Sequence, residues 1–183
     1  MTDATRTPAR ELADDATAEA AQRARETLAT QCGTQLPLLA GAALLLLEPA
    51  SRTAAAWFGV AAVLLLVAGA AVWQFGTERG REDQAGVLLA EYAVLRSVDP
   101  GVGRREAADA TAEGFVAGRY IAWSLALAAV GLLLAFGQWD QPAWAVPGAV
   151  LVVVGAVVHL YAAEREARAG RRWLAGPPGP PRD

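Results

Sequence analysis

Apolar and polar residues alternate along this chain in blocks: four uncharged apolar runs are set between three charged segments. The clearest run is 53–77, with no charge over 25 residues and Glu78-Arg79-Gly80-Arg81 immediately after it. About 20 apolar residues cross roughly 30 Å of hydrocarbon as a helix, so this run spans a membrane with room to tilt. Residues 27–47 form another uncharged run, ending in four consecutive leucines, Leu44 to Leu47. Pro37 within it removes one helical hydrogen bond and predicts a kink, a change that membrane helices tolerate. Glu48-Pro49 closes this span, and the linker 49–52 is short enough to make a tight antiparallel hairpin with the next. The third and fourth runs, 120–139 and 141–163, are separated by Asp140 alone and predict a second hairpin. Pro142 and Pro147 fall near the start of the fourth, where a missing amide costs least.

The charged segments read differently. Residues 1–12, with Pro8, are expected to be a disordered lead-in. Residues 13–29 are rich in Ala, Glu, Arg and Gln, all strong helix formers, with acids leading and Arg23 and Arg25 trailing. They predict a solvated helix running into the first span. The linker 78–119 contains an amphipathic helix at 84–98, with Leu88, Tyr92 and Leu95 on one stripe and Val87, Val94 and Val98 beside it. That face fits either the membrane surface or another cytoplasmic helix. Asp99-Pro100-Gly101-Val102-Gly103 breaks it, and helical propensity resumes at Arg104. Residues 164–183 predict a charged helix and a Pro/Gly-rich tail. The predicted fold is therefore an all-α, integral membrane four-helix bundle of two transmembrane hairpins with cytoplasmic helical extensions. It divides as 1–12, 13–77, 78–119, 120–163 and 164–183.

Composition adds orientation. All 16 basic residues are Arg, and they avoid the two hairpin loops, which hold only Arg52. Arg79, Arg81, Arg104, Arg105 and Arg119 flank the spans in the linker, and Arg165, Arg168, Arg171 and Arg172 follow the last one. The positive-inside rule then places both termini and the linker in the cytoplasm. Trp57, Trp139 and Trp144 mark the outer interface, and Trp73 and Trp123 the inner one. The Arg-only, Ala-, Gly- and Val-rich usage suggests a bacterial inner (plasma) membrane. The polar N-terminal segment is unlike a cleaved secretory signal, so retention of the N-terminus is expected. A net charge of −3 offers no basic footprint for nucleic acid.

The two halves resemble each other. Asp15-Ala16-Thr17-Ala18-Glu19 recurs as Asp109-Ala110-Thr111-Ala112-Glu113. Gly69-Ala70-Ala71-Val72 lies over Gly155-Ala156-Val157-Val158, and Glu78-Arg79 over Glu164-Arg165. One reading is a parallel internal repeat, with its axis along the membrane normal. The other is chance matching in an Ala-rich chain, since the two offsets differ.

Candidate chemistry is sparse. No span carries an interior Asp, Glu, Arg or Lys, where coupled transporters usually keep one. Glu48 reads as a helix-end carboxylate. His159 is the single histidine and Cys32 the single cysteine, both expected near the inner interface, too few for a metal site or an activated nucleophile. No catalytic residue, cofactor or metal is expected. The most specific interaction signal is small residues at four-residue spacing: Gly114, Gly118, Ala122 and Ala126, with Gly33 and Gly41 in the first half. Such residues let helix backbones approach closely in lipid. They predict packing of the first span on the third, homo-oligomerisation, or docking of a membrane partner. Glu78, Arg79, Glu164 and Arg165 read as interfacial charges, with arginine attracting anionic headgroups. The expected function is that of a non-enzymatic multi-pass protein acting through helix packing and protein–protein interaction, embedded in the lipid bilayer. The alternative is a small oligomeric channel or permease lined by Gln35, Gln74, Ser124 and His159.

Overall fold

The computed structural model describes residues 8–47, 53–101, 103–137 and 139–179. Among them the chain is entirely helical: α1 (Pro8–Leu46), α2 (Ala54–Ala71) continued by a π-helical turn (Val72–Gly76), α3 (Glu78–Arg96), α4 (Arg105–Phe136) and α5 (Pro142–Ala175). Four stretches are long and apolar enough to cross a membrane: Thr17–Leu46, Ala54–Gly76, Arg105–Ala135 and Pro142–Ala175. The first hairpin loop, with Glu48, lies outside the described residues. Helix α1 begins at Pro8, so the end of the segment expected to be a disordered lead-in is helical instead. Proline suits a first helical turn, where its missing amide has no partner to lose.

The apolar runs and the charged segments are not separate layers of structure. Helices α1 and α4 each pass from a charged half into an apolar half without a break, and α5 passes from an apolar half into a charged one. Their charged halves close around α3 to make a four-helix head. Alanine builds that head: Ala20 and Ala24 pack with Phe75 and Leu88, while Ala108, Ala112, Ala93, Val94 and Ala169 surround Trp173. Small side chains bring the helices close, and at Gly170 a Cβ would sit 2.5 Å from the Ala112 carbonyl oxygen. Trp173 is buried with its indole N–H donating to Asp109 (2.7 Å) and the Arg105 guanidinium 5.4 Å over its ring. Buried tryptophan needs such a partner for its one polar atom. The amphipathic face of α3 thus covers the head, with Leu88 and Val94 inside it and Val87 and Val98 exposed.

A sharp corner joins α2 to α3. The widened π turn ends at Thr77, whose hydroxyl accepts from the Gly80 amide (3.1 Å) and reaches the Trp73 carbonyl (2.6 Å). A side chain at Gly80 would strike the Trp73 and Gln74 carbonyls, so glycine is required there. Thr77 is an N-cap followed by an acid in the first turn, and α3 consequently starts six residues before the expected 84. At its other end Ser97 adopts the left-handed conformation (φ 55°), and Asp99 accepts from the Gly101 amide (3.0 Å).

In the apolar half the helices lie in the order α2, α1, α5, α4. Helix α1 packs chiefly on α5, the fourth span, rather than on the third as the small-residue pattern suggested. The reason is the position of the glycines. A Cβ at Gly41 would lie 2.6 Å from the Gly148 carbonyl, and one at Gly155 would lie 2.7 Å from Leu38 Cγ and 2.9 Å from the Thr34 carbonyl. Leu45, Leu133, Ala145 and Val152 complete that contact. Helix α2 touches α1 and leaves Phe58, Leu65 and Leu66 more than 70% exposed. Trp57 and Trp144 meet at one end with their rings tilted by 32° and centroids 6.1 Å apart. At one matched pair of the sequence repeat the surroundings differ: Gly69 has open space around it where its match Gly155 is wedged against α1.

Candidate functional site

Because α5 lies between α1 and α4, those two helices stand apart and leave a groove with α5 as its floor. It runs from the head into the apolar half as two adjoining hollows of about 380 and 400 Å³, sharing Thr30, Gln31, Leu125 and His159. The α1 wall is polar at helical spacing: Thr27, Thr30, Gln31, Thr34 and Gln35. The α4 wall carries the small residues Gly114, Gly118, Ala122, Ala126 and Ala129 between the larger Phe115, Ile121 and Leu125. The four-residue spacing of Gly114, Gly118, Ala122 and Ala126 stands out in the sequence; the polar α1 set does not. Only the assembled bundle turns the two faces toward each other.

At the head end the groove meets a buried charge cluster. Arg23 is 5% exposed, and its guanidinium donates to Glu91 of α3 (2.7 Å) and Glu166 of α5 (2.9 Å). Glu26 accepts from Arg96 and Arg165 beside it (3.2 and 3.3 Å). Burial raises the Glu91 carboxyl above the usual carboxylate range; Arg23 opposes that shift and the like charge of Glu166 adds to it. One arginine thereby ties three helices together at the mouth of the groove. Sequence reading took Arg23 as a trailing charge on a solvated helix. The signal was present in Ala20, Arg23, Ala24 and Thr27, which share one helical face.

Deeper in, two hydroxyls lack partners. Threonine in a helix commonly donates to the carbonyl one turn back, as Thr30 does to Glu26 (2.9 Å). Thr27 Oγ1 and Thr34 Oγ1 are buried with no hydrogen-bond partner, and Thr34 is 6% exposed. Unpaired buried hydroxyls cost on the order of 1–3 kcal/mol each.

The residues singled out from sequence divide. Gly41 is in tight contact with α5, and Gly33 is in ordinary contact with Val158 (3.7 Å). Ala122 is buried and Ala126 faces the groove. Gly114 and Gly118 pack against nothing: a Cβ at either would find no atom within 4 Å. They therefore do not join the first span to the third. Glu164 accepts from Arg119 (2.6 Å) and from the Trp123 indole (3.2 Å), joining α4 to α5, while Arg165 reaches Glu26. Glu78 and Arg79 are exposed at the start of α3. Gln35 and His159 meet in the groove, whereas Gln74 lines a separate hollow beside α2 and α3 and Ser124 is exposed outside the groove. Cys32 is a free, half-buried thiol that does not line the groove. Among the described residues no three His, Cys, Asp or Glu side chains gather as a metal site. The groove offers hydrogen-bonding and close-contact surface, with Glu91, Glu166 and His159 among its lining residues. Comparison of the chain with models of known protein families, with curated proteins and with solved structures finds no match.

Proposed function

We propose that this chain is a four-span protein of the bacterial inner membrane, both ends cytoplasmic, that acts by receiving a transmembrane helix of a partner protein in the groove between α1 and α4. It is an accessory or scaffold subunit with no chemistry of its own. The observation that carries this reading is the open face at Gly114 and Gly118. Glycine inside a helix costs about 0.5–1 kcal/mol relative to alanine, and close approach of another helix backbone compensates for it. Both glycines lie just before the 120–139 run, so the docked helix continues past the apolar layer toward the head. Among the described residues no helix supplies that approach. The facing Gln31 and Gln35 side chains would hydrogen-bond polar side chains of an incoming helix, which strengthens association in a medium without water.

Photo-crosslinking from position 118 in native membranes tests the reading. A discrete protein adduct is expected there and not from Leu65, which faces outward on α2. Adducts to lipid alone at both positions would refute it. A second reading, a small-solute permease, draws on the meeting of Gln31, Gln35 and His159 in the groove. Solute flux through liposomes containing only this protein would favour it over helix docking.

A further inference from the structure

We infer that the outer face of α5, just past the fourth span, is a binding site for an anionic phospholipid whose headgroup carries two phosphates. This inference rests on the membrane-spanning reading above but not on the groove. Tyr161, Arg165, Arg168 and Arg172 recur along α5 at spacings of four, three and four residues, so they form one stripe, with Arg171 beside it. Together with Ala175 they line an open hollow of about 570 Å³ to which no acidic residue contributes. Several arginines elsewhere at this end of the molecule are partnered, Arg23 by Glu91 and Glu166, Arg96 by Glu26, Arg105 by Asp109 and Arg119 by Glu164, whereas the exposed Arg25, Arg79 and Arg104 are scattered over α1, α3 and the start of α4 rather than gathered in one hollow. Among the described residues Arg168, Arg171 and Arg172 form no ion pair within 4.0 Å, and Arg165 shares Glu26 with Arg96.

Helix direction makes this set different from the other arginines. Side chains on an α-helix lean toward its N-terminus. Helix α5 leaves the apolar region at its C-terminal end, so its arginines lean back toward the headgroup layer. Arg104, Arg105 and Arg119 precede a span on α4, and Arg23 and Arg25 precede one on α1, so they lean away. Tyr161 is 72% exposed at the boundary, where its amphipathic ring suits the glycerol level of a lipid. Guanidinium forks bind phosphate oxygens in pairs, and a hollow edged by four of them accommodates more than one phosphate. Each arginine near an anionic surface contributes about 1 kcal/mol.

The test is native mass spectrometry of the full chain in mild detergent. It is titrated separately with diphosphatidylglycerol, phosphatidylglycerol and phosphatidylethanolamine. The two-phosphate lipid should be retained most tightly. R168Q/R171Q/R172Q should weaken that retention about a hundredfold, as three arginines at that contribution imply. R25Q/R79Q/R104Q, which removes equal charge elsewhere, should retain the lipid as wild type does. All six side chains are exposed, and circular dichroism verifies that both variants remain folded. Equal retention of all three lipids, or equal weakening in both triple variants, would overturn the inference. Displacement by inorganic diphosphate at the lipid's own concentration would also overturn it, since the occupant would then be a dissolved phosphate. A chain that stays soluble without detergent defeats the spanning reading instead. One that needs detergent yet shows no lipid preference defeats this inference alone.

Discussion

Arg23 and Glu91 carry the most consequence for single side chains. Removing one partner of a buried ion pair leaves the other charge uncompensated, at a cost of about 3–5 kcal/mol. Glu91 and Glu166 keep some water contact, so Arg23→Met should fall near the lower end of that range, read as loss of thermal stability in detergent. Glu91 gives a pH test. Its folded-state pKa is raised, so between the ordinary carboxylate value and the raised one the folded protein holds a proton that the unfolded chain has lost. Stability must therefore fall as pH rises through that window and level off above it. Glu91→Gln should flatten this slope, and an unchanged slope would show that another group causes it. Neither residue stood out in the sequence. One of two arginines in a charged, alanine-rich segment and a glutamate among leucines and alanines look like ordinary helix charges until three helices converge on them.

At the scale of elements, the glycines separate into two kinds. Gly41 meets backbone on α5, so Gly41→Ala must push α1 away and should destabilise by about 1–3 kcal/mol. Gly114 meets nothing, so Gly114→Ala should stabilise the isolated chain by about 0.5–1 kcal/mol through helix propensity while weakening capture of a partner helix. Opposite signs in one unfolding assay would distinguish them. In the head, Trp173→Phe removes the bond to Asp109 and should cost about 1–3 kcal/mol by the same assay. The spacing of small residues was visible along the chain, but which helix each set meets was not. Spacing defines a face of a helix, whereas the partner depends on which neighbour approaches it.

For the whole molecule, the arrangement is a thin layer of four apolar stretches, each long enough to cross a membrane, above an alanine-packed head. Phe58, Leu65, Leu66, Leu134 and Tyr161 are all well exposed, a belt that water would not tolerate on a monomer. The topology is testable by cysteine labelling in a Cys32→Ser background. Single cysteines at Ser97 and Ala175 should react from the cytoplasmic side only, and one at Asp140 from the opposite side only. Labelling of all three from one side would contradict four spans.

Hydrophobic patterning by itself determined the helical class, the four long apolar stretches and the breaks near 77, 97 and 140. Each depends on local composition: uncharged length, a threonine cap, or a Gly/Pro cluster. Only tertiary structure decided that α1 and α4 both pack on α5, that the charged halves build one head, and that Arg23 is buried. Those outcomes depend on distances between residues far apart in sequence, and on the carbonyls that a glycine lets approach. The opposition of the Thr27–Gln35 face to the Gly114–Ala129 face belongs to the same class, because a groove exists only once its floor is in place.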